Sequence, residues 1–292
     1  MMARSFELTG LDGANPLGFL AALGTLVSLH QSGISEPRLW WKRAGHWVPC
    51  LETIGVEDEN QLVVLVADSL RGRSVSENAE AQRAAAQKEM ESAKTSIKKQ
   101  RDEIKRRGLR GSERREAEDR ELRPLELQYQ DKRRQWLEAL RKAVPRPELA
   151  LGKRIDCTPE EYREHTAALV ATSDRSNREA LDMLAAFGID AVRQRNSDAI
   201  EPTPFCFTTG SGNQYFLETA RQLMAQVSPE RVLRTLFEPW DYADEGLSMR
   251  WDPLEDRRYA LMDRDPTAAG NKPRTMWMAN LLGYRALVFF PT

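Results

Sequence analysis

Hydrophobic and polar positions alternate with several different periods along the chain. From Pro16 to Leu29 nearly every position is apolar or small. The run is shorter than the roughly 20 apolar residues of a bilayer span, and Gly18, Gly24, Thr25 and Ser28 interrupt it. Asn15 stands where a helix N-cap belongs, Pro16 at the first helical position and Gly33 just past the end, so the pattern predicts a buried helix. Gly18, Ala22 and Thr25 give that helix a stripe of small residues against which another backbone can approach. "SFEL" before it reads as a short strand. After it, Arg38 to Lys42 and His46 to Leu51 read as two strands joined at Ala44-Gly45. "NQLVVLVADSL" is apolar at successive positions, and its continuation into Ala67 and Leu70 favours a helix.

Between Glu77 and Arg123 the pattern thins to isolated apolar residues in a dense mixture of charges, with no proline. Met90, Ile97 and Ile104 recur every seven residues, and so do Leu122, Tyr129 and Trp136. Separated by "RRGLRGSERR", these two heptad-spaced arms predict an antiparallel helical hairpin turning at Gly108 and Gly111. An arm of about thirty residues would extend roughly 45 Å. Pro124 should kink or restart the returning arm. So narrow a seam buries little area, which predicts a far end that is loosely ordered or held by a partner.

Beyond the prolines of "VPRPELALG" the amphipathic periods return. "TPEEYREHTAALVA" starts a helix with Thr158 as N-cap, and "REALDMLAAFGID" is a second helix ending at Gly188. "FCFTTGSGNQYFLETARQL" runs from a strand-like piece through a Gly-Ser-Gly-Asn turn into a helix. The expected fold is α+β and predominantly helical: a globular body with a small antiparallel β-hairpin or sheet, and a long helical-hairpin (coiled-coil) insertion. The corresponding partition is 1–75 and 146–292 for the two parts of the body, and 76–145 for the charged insertion.

Charge changes this picture only locally. Across 292 residues, 43 Lys and Arg face 44 Asp and Glu, so any affinity for nucleic acid must come from distribution, not from the total. Between Lys94 and Arg110 eight basic residues (Lys94, Lys98, Lys99, Arg101, Lys105, Arg106, Arg107, Arg110) face only Asp102 and Glu103, about six net positive charges toward the hairpin tip. Glu113 to Arg120 alternates in sign, as a solvated base of the hairpin would. Segregation toward the tip suits a phosphate backbone. A second anion candidate is the turn Ser211, Gly212, Asn213 and Gln214, whose backbone amides precede a helix. Trp40, Trp41 and Trp47 would suit a base-stacking platform, although packing against the neighbouring helix is the favoured expectation.

Several chemistries are disfavoured. The glycines of "LDGANPLG" lack dinucleotide spacing, and there is no GxxxxGK[ST]. Cys50, Cys157 and Cys206 are odd in number and far apart, which argues against a disulfide framework and a cysteine zinc site. No secretory signal is evident, so a reducing, cytoplasmic setting is expected. Asp252, Glu255, Asp256, Asp263 and Asp265 alternate with Arg257, Arg258 and Arg264. They could bind a metal, but mutual Asp–Arg pairing is the more economical reading. His30, His46 and His165 have no HxxxH context, so no catalysis, metal or other cofactor is expected.

Four segments taken in order, "LDGANPLGFLAALGTL", "GSGNQYFL", "RWDPLEDRRYAL" and "MWMANLLGYRALVFFP", resemble those of CRISPR-associated proteins of type I-G (formerly I-U) systems, the Cascade large-subunit-like group. The resemblance covers the two ends of the chain and not the hairpin. It implies a non-catalytic subunit of a Cascade-type antiviral effector, whose partners are other effector subunits, guide RNA, target DNA and a separate helicase-nuclease, with no membrane. By analogy such a subunit reads a short duplex motif beside the target. The alternative is a coiled-coil protein-interaction scaffold that never meets nucleic acid. A metal-dependent nuclease built on the Asp252–Asp265 cluster is a third, less favoured reading.

Overall fold

A computed structural model describes residues 3–172, 178–195, 197–206, 215–254 and 274–292. The fold is α+β and predominantly helical, with small antiparallel sheets. The chain divides into two compact units, residues 1–73 with 151–292, and residues 74–150.

In the first unit, β1 (Ala3–Glu7) leads through a tight loop to α1 (Pro16–Gln31). The Asn15 side chain accepts the amide protons of Leu17 and Gly18, and Gly33 takes a left-handed φ of 83° beyond the last turn, as the sequence pattern predicts. β2 (Arg38–Ala44) and β3 (His46–Ile54) form a hairpin through Gly45, whose φ is 82°. β1 pairs antiparallel with the other edge of β3, so the sheet order is β1-β3-β2, with Phe6 opposite Leu51 and Trp41 opposite Pro49. α2 (Glu59–Arg71), capped by Asp58, packs on α1.

α6 (Pro159–Thr172) opens with a reciprocal cap in which the Glu161 amide donates to Thr158 Oγ1 and the Thr158 amide to Glu161 Oε2. α7 (Arg178–Phe187) passes directly into β4 (Gly188–Arg193), which pairs with β5 (Ile200–Pro202). There follow α8 (Phe216–Met224), α9 (Pro229–Phe237), the two-residue pair β6 (Asp244–Glu245) and β7 (Arg274–Thr275), and α10 (Trp277–Arg285).

The centre of this unit is the crossing of α1 and α10. A β-carbon at Gly24 would lie 1.8 Å from the Leu282 carbonyl oxygen, so the two backbones meet at Gly24, which lies outside the predicted stripe of Gly18, Ala22 and Thr25. Beside it, buried Asn280 accepts from the Met249 amide (2.7 Å) and donates to Thr275 Oγ1 and the Met276 carbonyl, which fixes the segment entering α10. Buried polar groups of this kind require such full pairing.

The second unit is a helical hairpin with an added element. α3 (Glu77–Arg106) is one uninterrupted helix, capped by Ser76. The return is split into α4 (Gly111–Glu121) and α5 (Arg123–Ala143), with Pro124 in the first turn of α5, where it restarts the helix. Met90, Ile104, Leu122 and Trp136 are buried, and Ile97 and Tyr129 half-buried. At the far end Ile104, Ala117 and Leu122 form a small core, and Ile97 and Leu109 pack against it, with α4 running on into α5 through Leu122, whose φ and ψ stay helical.

Candidate nucleic-acid interface

The basic candidates all lie on α3 or in the turn after it. At 100° per residue, Lys94, Lys98, Arg101 and Lys105 share one side of the helix and rise over about 16 Å. Lys99 and Arg106, seven residues apart, form a second row. The residues of both rows, with Arg107 and Arg110, are exposed, beside the buried stripe of Met90 and Ile104.

Two of the eight are neutralised by neighbours. Arg107 pairs with Glu103 and Glu121, each at 2.9 Å, and Arg101 with Glu126 at 3.4 Å. Arg107, and after it Arg120, holds the Glu121 carboxyl below the usual range for a glutamate, and the same contacts raise Arg107. Lys94, Lys98, Lys99, Lys105, Arg106 and Arg110 make no ion pair among the described residues.

The sign-alternating stretch does not sit at the base of the hairpin. It is α4, packed beside the end of α3, and it brings Glu113, Glu116, Glu118, Asp119 and Glu121 to the far end with Arg114, Arg115 and Arg120. The far end is therefore mixed in charge. An open cleft of about 520 Å³ there is lined by Arg101, Glu118, Asp119, Leu122, Arg123 and Glu126, a set in which carboxylates outnumber arginines. The basic surface is a ridge along the outer part of α3 and not a basic tip.

The other anion candidate, Ser211 to Gln214, lies outside the described residues. The helix after it, α8, starts without a side-chain cap, and Arg154 and Lys153 lie 4.9 and 5.5 Å from the Tyr215 ring beside that start. Of the acidic cluster, only Asp252 and the residues just after it are described. Asp252 is buried, and its Oδ1 accepts from Asn15 Nδ2 (2.9 Å) and the Leu254 amide (2.8 Å), so its described partners are an amide side chain and a backbone N–H. Asp252 thereby braces the N-cap of α1. Glu255 to Asp265 lie outside the described residues.

The three tryptophans, treated as one group in sequence, do not act as one. Trp41 is half-buried and stacks on Phe19 of α1 with ring centroids 5.4 Å apart, the packing role expected of it. Trp47, on the same face, is held by its backbone to the loop before α1: the Gly13 amide donates to the Trp47 carbonyl (2.7 Å) and the Trp47 amide lies 3.4 Å from Asp12 Oδ1. Trp40 is on the opposite face, because neighbouring strand residues alternate. The signal that separates them is their parity along β2 and β3, which becomes readable once the register is known.

Among the described residues no group of three or more His, Cys, Asp or Glu is placed to hold a metal ion, and no helix is long and apolar enough to cross a membrane. No protein-family model, curated protein or solved structure matches the chain.

Proposed function

We propose that the chain is a non-catalytic, nucleic-acid-binding subunit of a CRISPR effector of the Cascade type, acting in antiviral defence in the cytoplasm alongside other effector subunits, guide RNA and target DNA. The observation that carries the nucleic-acid part is the ridge of six exposed cations on and after α3, which have no carboxylate partner among the described residues. Such unpaired cations release condensed counterions when they meet phosphates. The effector part rests on the resemblance of the segments around Asn15, Trp251 and Trp277. Several residues of those segments meet in the core, where Asn15 bonds Asp252 and Gly24 abuts Leu282. They act as framework, and the contact surface lies elsewhere.

The test is recovery of the tagged chain from its native cells. The expected result is co-purification of several proteins with RNA, seen as an elevated absorbance ratio that nuclease treatment lowers. Recovery of the chain alone and free of RNA would contradict the effector reading.

A further inference from the structure

Among the described residues, the two faces of the three-stranded sheet differ. Phe6, Leu39, Trp41 and Leu51 share the face on which Trp41 stacks against α1. The opposite face presents Arg38, Trp40, Lys42 and His46. It is open to solvent: Trp40 is 41% exposed, and the side chain of Arg38 70%. The floor between them is nonetheless closed, with Val48 and Cys50 each only 3% exposed. Lys42 lies opposite Val48 and Glu7 opposite Cys50, and their ion pair bridges the middle strand, while Trp40 flanks Cys50 from β2. Burial beneath this cover pushes the Cys50 thiol up. Among the described residues, the flat Trp40 indole stands exposed between Arg38 and Lys42, with Ile54 exposed farther along the face.

Charge identifies the occupant. From Arg38 to Pro49 the hairpin carries Arg38, Lys42, Arg43 and His46 and no carboxylate. The two acids that reach this face, Glu52 and Glu7, pair with Arg38 and Lys42 in exposed contacts, and exposed pairs contribute little, so a phosphate can replace either carboxylate. An apolar protein partner would need a wide apolar patch, whereas Trp40 and Ile54 are the only large hydrophobics exposed on this face among the described residues. A base needs only the ring. A base within a duplex has no free face, so the occupant is a single strand.

We propose that the open face of the sheet is a second nucleic-acid contact, in which an unstacked base of a single strand lies on the Trp40 indole and its flanking phosphates meet Arg38, Lys42 and His46. This rests on the nucleic-acid reading above and adds to it the strandedness of the ligand and a residue that touches a base.

The test is fluorescence anisotropy of the full chain with labelled oligothymidine and with a duplex of equal length. Loss of one stacked base by Trp40→Ala weakens single-strand binding roughly 5- to 150-fold. Trp40→Phe retains most of the affinity, Trp40→Leu behaves as Trp40→Ala, and duplex binding changes little. Thermal unfolding of each variant, with Trp40→Phe as the conservative member, separates lost stacking from lost folding. Binding of the single strand that is unchanged by Trp40→Ala overturns this inference alone. So does retention by Trp40→Leu, which would mark apolar docking. Failure of the wild-type chain to bind either nucleic acid overturns this inference and the parent reading together.

Discussion

Gly24 has no room for a side chain, because the Leu282 carbonyl occupies the place of its β-carbon. Gly24→Ala must push α1 and α10 apart, and overpacking of this kind costs about 1–3 kcal/mol or more, expected as a lower urea midpoint with little change in m. Tyr162 is a second residue whose surroundings make a firm prediction. Its hydroxyl donates toward the carbonyls of Leu184 (2.8 Å) and Gly188 (3.0 Å), and burial pushes its pKa up to about 12. A raised phenol pKa means stability that is present below the unfolded value of about 10 and lost as pH rises toward the folded one. Denaturation midpoints should fall between those two pH values, and Tyr162→Phe should remove that dependence at a cost of about 1–2 kcal/mol at neutral pH. The cap of α1 was legible in sequence, since Asn-Pro at a helix start has a local cause. Its brace was not: Asp252 lies 237 positions away, and nothing near it in the chain announces that its Oδ1 accepts from the Asn15 amide side chain.

At the scale of elements, α3 and α5 followed from heptads of apolar residues, but α4 did not. Ala117 is the only buried residue of α4, so its docking on Ile104 and Leu122 leaves almost no periodic trace, and its alternating charges read equally well as a solvated arm. The restart at Pro124 was expected, but α4 also sets five carboxylates at the far end beside the basic residues of α3. The small core there should matter out of proportion to its size. Ile104→Ala is expected to cost about 2–4 kcal/mol, read locally as faster amide exchange in α4 while the amides of α1 and α10 keep their protection. Acid should act on the same place. Because Arg107 holds Glu121 below the usual range, the contribution of that pair is complete above the unfolded value of about 4.3 and is lost as pH falls through the folded one. Protection in α4 should therefore decline on acidification below that range, and Glu121→Gln should remove the decline. The sheet teaches the complementary lesson: the β-hairpin was readable from Ala44-Gly45, whereas the opposite facing of Trp40 and Trp41 required the register.

For the molecule as a whole, near-neutral net charge conceals a division of labour. The first unit uses close backbone contact at Gly24, helix caps and the buried Asn280 to hold α1 and α10 together, and exposes Trp40 on one face of its sheet. The second holds its apolar residues in a narrow seam and exposes six cations that have no ion pair among the described residues. The central claim is that this ridge meets phosphates. Its most direct measurement is the salt dependence of DNA binding by the full chain and by a variant with Lys94, Lys98, Lys99, Lys105, Arg106 and Arg110 all replaced by alanine, titrated between about 50 and 200 mM salt. The account predicts a steep negative slope for the wild type and a slope shallower by about 0.9 for each phosphate that the variant no longer neutralises, with thermal stability preserved because all six side chains are exposed. Equal affinities with parallel slopes would contradict it.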